Sequence, residues 1–242
     1  MKKIKIAKQW DLLVPEHRVK ALDWDIWESE RLVSMYNNIN KDEVLFDIGA
    51  EQGDLTSLFA TWGAKIVPFE PNPLFWPQIR SIYKANTKKS KILGSFAGFV
   101  ANKDILNPQY IEETFLLPEK DGWAGCSFLE EVQTYDFRNV LERHHDTPSI
   151  KIDTFVKTKK IIPNILNIDV EGAELEVLRS AKETITKYKP KIWVSVHPEM
   201  LANDYRCTKD DLLKHMESLG YSYELLAVDH EHHYAMFPKE KA

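Results

Sequence analysis

Short apolar runs that end at a glycine or a charged residue recur along most of this chain. The first covers residues 44–48 and ends at Gly49; Gly53 follows, and residues 55–59 then carry apolar side chains at helical spacing. A run this short, rich in β-branched and aromatic residues, is typical of a strand buried on both faces. The pattern predicts a unit of strand, glycine loop and helix.

Similar runs predict more strands further along the chain, at residues 66–69, 91–100, 165–168, 191–196, 221–228 and 232–237. Helical patterns lie between several of them, which predicts an α/β fold with a doubly wound, mostly parallel sheet. The last two runs are close together and predict an antiparallel pair. Residues 149–156 alternate between apolar and polar positions, which predicts a further strand.

Two parts of the chain fall outside this rhythm. Residues 1–40 predict an N-terminal helical accessory segment, and residues 41–242 a single domain with a lid or substrate-facing insertion at about 102–148. Trp10, Trp24 and Trp27 lie in the accessory segment. Tryptophans can line a sugar-binding face, but the favoured interpretation is that they pack this segment onto the sheet.

Composition excludes several classes of function. The 242 residues carry a net charge of -5 and a pI near 5.9, so the chain has no basic footprint for nucleic acid or an anionic membrane. Its two cysteines, Cys126 and Cys207, lie far apart and do not form a disulfide or zinc pattern. With no signal peptide and no apolar run of membrane-spanning length, these features predict a cytoplasmic protein.

The glycine loop indicates which cofactor the sheet would bind. A dinucleotide fingerprint needs a middle glycine, but Glu51 stands between Gly49 and Gly53, and Asp47 precedes them. Carboxylates repel a pyrophosphate and suit the sulfonium and ammonium of S-adenosylmethionine. Glu70 ends the next strand 21 residues after Gly49, where an acid can bind both ribose hydroxyls. Together these residues predict a site for S-adenosylmethionine.

Further candidate site residues lie at the ends of later strands. Ser95, Phe96 and Ala97 are expected to contact the adenine, and Asp169 to contribute to the cofactor site. Asp169, Glu171 and His197 end neighbouring strands at the edge of the sheet that carries the cofactor. His197 can accept a proton from an acceptor hydroxyl, and the two acids can orient it.

The same residue types are also compatible with a metal site. Asp169 and His197 offer the oxygen and nitrogen ligands that Mg²⁺ or Mn²⁺ sites use. His230, His232 and His233 also look like metal ligands by composition. They fall at a predicted hairpin turn, which favours an exposed polar tip instead.

Several motifs in order resemble the FkbM family of S-adenosylmethionine-dependent methyltransferases. They are FDIGAEQG, FEPNP, IDTFV, NILNIDVEGAELEVLRSA, VHPE and HYAMFPK, and they extend over roughly residues 43–238. The resemblance implies a seven-stranded class I methyltransferase fold and O-methylation of a hydroxyl on a sugar, a glycan or a related small molecule. Two positions depart from the family: Asn167 stands where a basic residue is common, and Ser195 where an acid is common.

Three classes of function remain open from the sequence. The first is the O-methyltransferase, with a glycan or small-molecule acceptor and neither nucleic acid nor membrane as a partner. The second is a non-catalytic cofactor-binding subunit of a biosynthetic assembly, which the two departures allow. The third, a nicotinamide-dependent oxidoreductase, is disfavoured by Glu51 in the glycine loop.

Overall fold

A computed structural model describes residues 1–22, 29–72, 74–88, 91–105 and 148–239. Most of the predicted insertion at about 102–148 lies outside these residues, as do Trp24, Trp27 and Cys126. No helix within the described ranges is both long and apolar enough to cross a membrane.

The elements follow one another in an α/β order. The strands are β1 Lys2–Ile6, β2 Trp10–Val14, β3 Val44–Ile48, β4 Lys65–Phe69, β5 Phe99–Val100, β6 Ser149–Ile150, β7 Ile165–Asp169, β8 Lys191–Val196, β9 Tyr221–Val228 and β10 His232–Pro238. The helices are α1 Glu16–Leu22, α2 Ser29–Asn38, α3 Asp54–Thr61, α4 Trp76–Asn86, α5 Ile152–Lys159, α6 Glu174–Ser180, α7 Lys182–Tyr188, α8 Pro198–Tyr205 and α9 Lys209–Ser218.

The central sheet has the strand order β4-β3-β7-β8-β10-β9. The first four strands are parallel, and β10 pairs antiparallel with both β8 and β9. This confirms the predicted mostly parallel α/β sheet and its terminal antiparallel pair. The described residues form six strands in this sheet, however, and not the seven that the family resemblance implied.

Pro68 explains why residues 91–96 do not form the missing strand beside β4. Ile66 donates one backbone hydrogen bond to this segment and accepts another from it. Further along, the segment donates to the Pro68 carbonyl and accepts the Glu70 N–H. Pro68 has no N–H to donate between those contacts, so the ladder is interrupted and only isolated bridges remain. The predicted strand at 91–100 is therefore wrong except at β5, which pairs with β6 in a separate two-stranded sheet.

Each face of the central sheet packs against its own hydrophobic cluster. Leu45, Ile165 and Trp193 belong to the cluster that also contains residues of the N-terminal segment, α3 and α4. Phe46 and Leu166, their neighbours along the strands, belong to the cluster with α5, α6 and α9. Because side chains alternate along a strand, burial on both faces gives the continuous apolar runs seen in the sequence.

The N-terminal segment is only partly helical. α1 and α2 agree with the predicted helical segment, but residues 2–14 form the β1–β2 hairpin, so the prediction is wrong there. The indole of Trp10 lies 4.9 Å from that of Trp62 and 5.4 Å from the ring of Tyr36, between centroids. Trp10 therefore packs the hairpin onto α2 and the end of α3, and not directly onto the sheet as the favoured interpretation expected.

The predicted strand at 149–156 is mostly helical. The alternating run at 149–156 was predicted to be a strand, but only Ser149–Ile150 is extended and α5 begins at Ile152. The apolar positions of α5 enter the core at helical spacing, a pattern that a short run does not separate from a strand. At the start of α9, Thr208 and Asp211 form a capping box.

Candidate active site

The glycine loop touches the ends of β4 and β7. The N–H groups of Gly49 and Ala50 donate to the Phe69 carbonyl at 3.0 and 3.1 Å. Gly49 has a φ of +87°, and a Cβ built there would lie 1.7 Å from the Asp169 carbonyl oxygen. Only glycine fits so close to another backbone in this conformation. The loop is therefore held directly against the strand that ends in Asp169.

Glu70 lies at the tip of β4, as predicted, and is buried. Its carboxylate accepts hydrogen bonds from the backbone N–H groups of Glu51, at 2.8 Å, and Asn72, at 2.7 Å. Burial outweighs these bonds and raises the pKa of Glu70 to about 8. The side-chain nitrogen of Asn72 is also buried, and it has no hydrogen-bond partner among the described residues. A polar ligand at this tip would find both an acceptor and a free donor.

Glu51 has a structural partner that the sequence did not indicate. Its two carboxylate oxygens accept bonds from the Arg18 guanidinium at 3.3 and 3.1 Å, and Arg18 Nε donates to Asp54 at 2.8 Å. Burial raises the pKa of Asp54, and the charge of Arg18 opposes that shift. The carboxylate of Glu51 is thus engaged by α1, which ties the accessory segment to the glycine loop.

The segment predicted to contact the adenine lies beside Glu70. The Phe96 carbonyl accepts the Glu70 N–H at 3.1 Å, so Ser95, Phe96 and Ala97 run alongside the end of β4. The Phe96 side chain, however, is buried in the hydrophobic core against Phe69. The backbone of this segment and its two flanking residues remain the candidates for a ligand contact.

Asp47 belongs to a buried polar row on one face of the sheet. Its carboxylate accepts bonds from the Thr56 hydroxyl and, at 2.8 Å, from the side-chain amide of Asn167 on the neighbouring strand. Arg31 of α2 has a side chain 0% exposed, and it donates to Asn167 Oδ1 at 2.5 Å. Arg31 also lies 3.4 Å from Asp169 Oδ2.

Arg31 therefore connects the accessory segment to the centre of the sheet. It places a guanidinium beside Asn167, one of the two positions at which the sequence departs from the family that it resembles. No local signal in the sequence indicated this contact, because Arg31 is 136 positions away from Asn167. Its place on the buried side of an amphipathic helix was the only available indication.

His197 is surrounded by four carboxylates. Its Nδ1 lies 2.8 Å from Glu174 Oε1, in a hydrogen bond. Its Nε2 lies 3.3 Å from Glu171, 3.4 Å from Glu231 and 3.8 Å from Asp169. The structure thus brings together the three predicted residues Asp169, Glu171 and His197, and it adds Glu174 and Glu231, which the sequence analysis missed.

The pKa of His197 does not suit its predicted role as general base. Burial lowers this pKa, but the interactions with Glu174 and Glu231 and the charge of Asp169 outweigh burial and raise it to about 11. An imidazole with that pKa carries a proton at neutral pH and cannot accept another. A base must be sought among the carboxylates, of which the Glu171 side chain is 71% exposed.

The histidines near the β9–β10 turn are not a uniform exposed tip. His230 is 72% exposed, as predicted, but His233 is buried. His233 Nδ1 lies 2.9 Å from the Ser195 hydroxyl on the paired strand, in a hydrogen bond. Ser195, one of the two departures from the family, therefore has a buried partner on β10.

Sequence comparison identifies the family. The profile of the Methyltransferase FkbM domain matches residues 47–223, which include the glycine loop, Glu70 and the His197 cluster except Glu231. The chain belongs to the FkbM methyltransferase family. No curated protein sequence matches the chain.

A solved structure of the family has a similar fold. An FkbM methyltransferase from Methylobacillus flagellatus KT is similar with a TM-score of 0.52 at 18% identity, over 81% of this chain and 43% of that one. This FkbM chain thus spans less than half of that relative. A precorrin-6y C5,15-methyltransferase from Geobacter metallireducens GS-15 has a TM-score of 0.48 at 13% identity, over 94% of both chains.

Proposed function

We propose that this protein transfers the methyl group of S-adenosylmethionine to a hydroxyl of a sugar, a glycan or a related small molecule in the cytoplasm. The observation that carries the proposal is the contact between Gly49 and the Asp169 carbonyl. It joins the glycine loop, where the cofactor would bind, to the carboxylates around His197. A methyl donor on the loop would thus have acid and base groups beside it.

The residues present fit this cofactor. The buried carboxylate of Glu70 and the side-chain nitrogen of Asn72, which has no hydrogen-bond partner among the described residues, match the hydrogen-bonding groups of a ribose and an adenine. The carboxylates around His197 favour a cationic ligand over a pyrophosphate. When bound, S-adenosylmethionine supplies an electrophilic methyl group on a sulfonium.

The protein's own task is to place the hydroxyl and remove its proton. As the new carbon–oxygen bond forms, the carbon–sulfur bond breaks, and its electron pair stays on sulfur. We assign the hydroxyl proton to Glu171, because its side chain is 71% exposed and is therefore accessible to an acceptor at the edge of the His197 cluster. A positioned general base contributes typically about 10²–10⁴-fold to rate.

The function can be tested by methyl transfer and by ligand-induced stabilisation. Tritium from labelled S-adenosylmethionine should appear in a sugar or glycan acceptor, and the cofactor should raise the melting temperature. At 100 times its dissociation constant, a ligand stabilises the folded state by about 2.7 kcal/mol. Stabilisation by NAD with none by S-adenosylmethionine would contradict the proposal. Cofactor binding without transfer to any acceptor would favour a non-catalytic subunit.

At pH 9, where Glu70 is ionised, Glu70→Ala should weaken the binding of S-adenosylmethionine by about 10- to 150-fold. The carboxylate is placed for two charge-assisted hydrogen bonds to the ribose, worth about 1.5–3 kcal/mol. Isothermal titration calorimetry on protein shown to be folded by circular dichroism measures the change. Glu183→Ala on α7, an exposed acid, is the control and should bind the cofactor normally.

The pH dependence of binding gives Glu70 a second signature. Because burial raises its pKa to about 8, Glu70 is mostly protonated at pH 6.5 and ionised at pH 9. The ionised form accepts both ribose hydroxyls, so cofactor affinity should rise as the pH passes through 8. In Glu70→Ala, the increase in affinity that comes from ionisation of Glu70 should disappear. Any change in affinity that comes from ionisation of the ligand should remain. Identical pH profiles in the two proteins would assign Glu70 a structural role alone.

A further inference from the structure

The carboxylates around His197 converge from different parts of the chain. Asp169 ends β7, His197 follows β8, and Glu231 lies just before β10. One ligand atom from each of these residues lies within 4.8 Å of the others. A group of acids on its own does not define a binding site, since like charges are also found together without an ion.

The imidazole of His197 supplies a second and independent indication. The residue is 6% exposed, and its Nε2 makes no hydrogen bond with the described residues, although carboxylate oxygens of Glu171, Glu231 and Asp169 lie 3.3, 3.4 and 3.8 Å from it. Its other nitrogen, Nδ1, is bonded to the fully buried Glu174 at 2.8 Å. A histidine that binds a metal through one nitrogen typically uses the other to bond a carboxylate, which fixes its tautomer and orientation.

The distances also suit a small cation. Two ligands that each lie about 2.1 Å from an ion are about 3.0 Å apart at a right angle and about 3.4 Å apart at a tetrahedral angle. His197 Nε2 lies 3.4 Å from Glu231 Oε1 and 3.8 Å from Asp169 Oδ1. The ligand atoms of the third pair, Asp169 and Glu231, lie within 4.8 Å of each other, so local adjustment of the two carboxylates would bring all three residues into contact with one ion.

We propose that Asp169, His197 and Glu231 bind one divalent cation of the Mn²⁺ or Mg²⁺ class, which displaces the proton from His197 Nε2 to the solvent. Two carboxylates and one imidazole form a mainly oxygen donor set with one nitrogen, and three ligands leave coordination positions for water or a hydroxyl. Glu174 is the positioning residue that holds the imidazole. In catalysis the cation would polarise the acceptor hydroxyl, and this role rests on the proposed O-methylation. Binding of the cation itself does not depend on that function.

Mn²⁺ is the probe, because its free form is measured directly by electron paramagnetic resonance. Full-length protein stripped with a chelator is titrated with Mn²⁺ in the absence of S-adenosylmethionine. We expect one strong site per chain, weakened at least about 10-fold by Glu231→Gln. Glu174→Gln should weaken it by about 10- to 100-fold, as loss of a ligand's orienting partner does.

Glu224→Gln, the same change at an exposed acid on β9, is the matched control and should leave Mn²⁺ binding unchanged. In the wild-type protein, which needs no variant to fold, Mn²⁺ should broaden the imidazole resonances of His197 before those of His17 and His215. Absence of a stoichiometric Mn²⁺ site would overturn the proposal. Equal weakening in Glu224→Gln and Glu231→Gln, or broadening that spares His197, would also overturn it.

The methyl-transfer assay separates this inference from the proposed function. A protein that transfers the methyl group of S-adenosylmethionine but binds no Mn²⁺ retains the proposed function, and only the cation site fails. A protein that binds Mn²⁺ through Glu231 but transfers no methyl group retains the cation site, and only the proposed function fails.

Discussion

Replacing Gly49 with alanine is expected to destabilise the protein by about 2–6 kcal/mol. The new Cβ would lie 1.7 Å from the carbonyl oxygen of Asp169 and 2.8 Å from its carbonyl carbon, so the loop and β7 must separate. The φ of +87° adds strain for any residue with a Cβ. Overpacking and left-handed strain each cost about 1–3 kcal/mol. Urea denaturation followed by circular dichroism measures the loss.

Two other glycines separate the two causes. Gly63 has a φ of +104°, and no heavy atom lies closer than 3.4 Å to the place that a Cβ would take, so Gly63→Ala should show the strain alone. Gly94 has no left-handed φ, and its nearest neighbour is Ile161 at 3.5 Å, so Gly94→Ala should be nearly neutral. If Gly49→Ala costs no more than Gly63→Ala, the close contact with β7 is not a constraint.

The sheet was largely predictable because strands that are buried on both faces have a recognisable local pattern of apolar residues. β3, β7 and β8 are covered on both faces, so each is a short apolar run that ends where the chain reaches the polar edge. The glycine loop and Glu70 follow from their position at those ends. The interrupted edge beside β4 could also have been anticipated, since Pro68 cannot donate a ladder hydrogen bond.

The polar contacts of the site were not predictable to the same degree. Glu231 lies beside His197 only because β10 pairs antiparallel with β8. The sequence around position 231 does not indicate which strand β10 pairs with. Arg18 is paired with Glu51 by the fold of the accessory segment. Long-range pairs of charges depend on topology, whereas hydrophobic periodicity depends on the local chain. The site was therefore predicted as a set of strand ends, without the partners that define its chemistry.

Arg31→Met is expected to destabilise the protein by about 3–5 kcal/mol. Arg31 is 0% exposed, so its removal leaves the buried oxygen of Asn167 without its donor and the partly exposed carboxylate of Asp169, 3.4 Å away, without this cation. Methionine keeps much of the volume, so the cost reports the lost charge and hydrogen bonds more than a cavity. The matched control is Arg179→Met, which breaks the surface pair with Glu176 and should cost at most about 1 kcal/mol. Chemical denaturation of both variants measures the difference, and equal losses would mean that the buried contacts of Arg31 do not stabilise the accessory segment on the sheet.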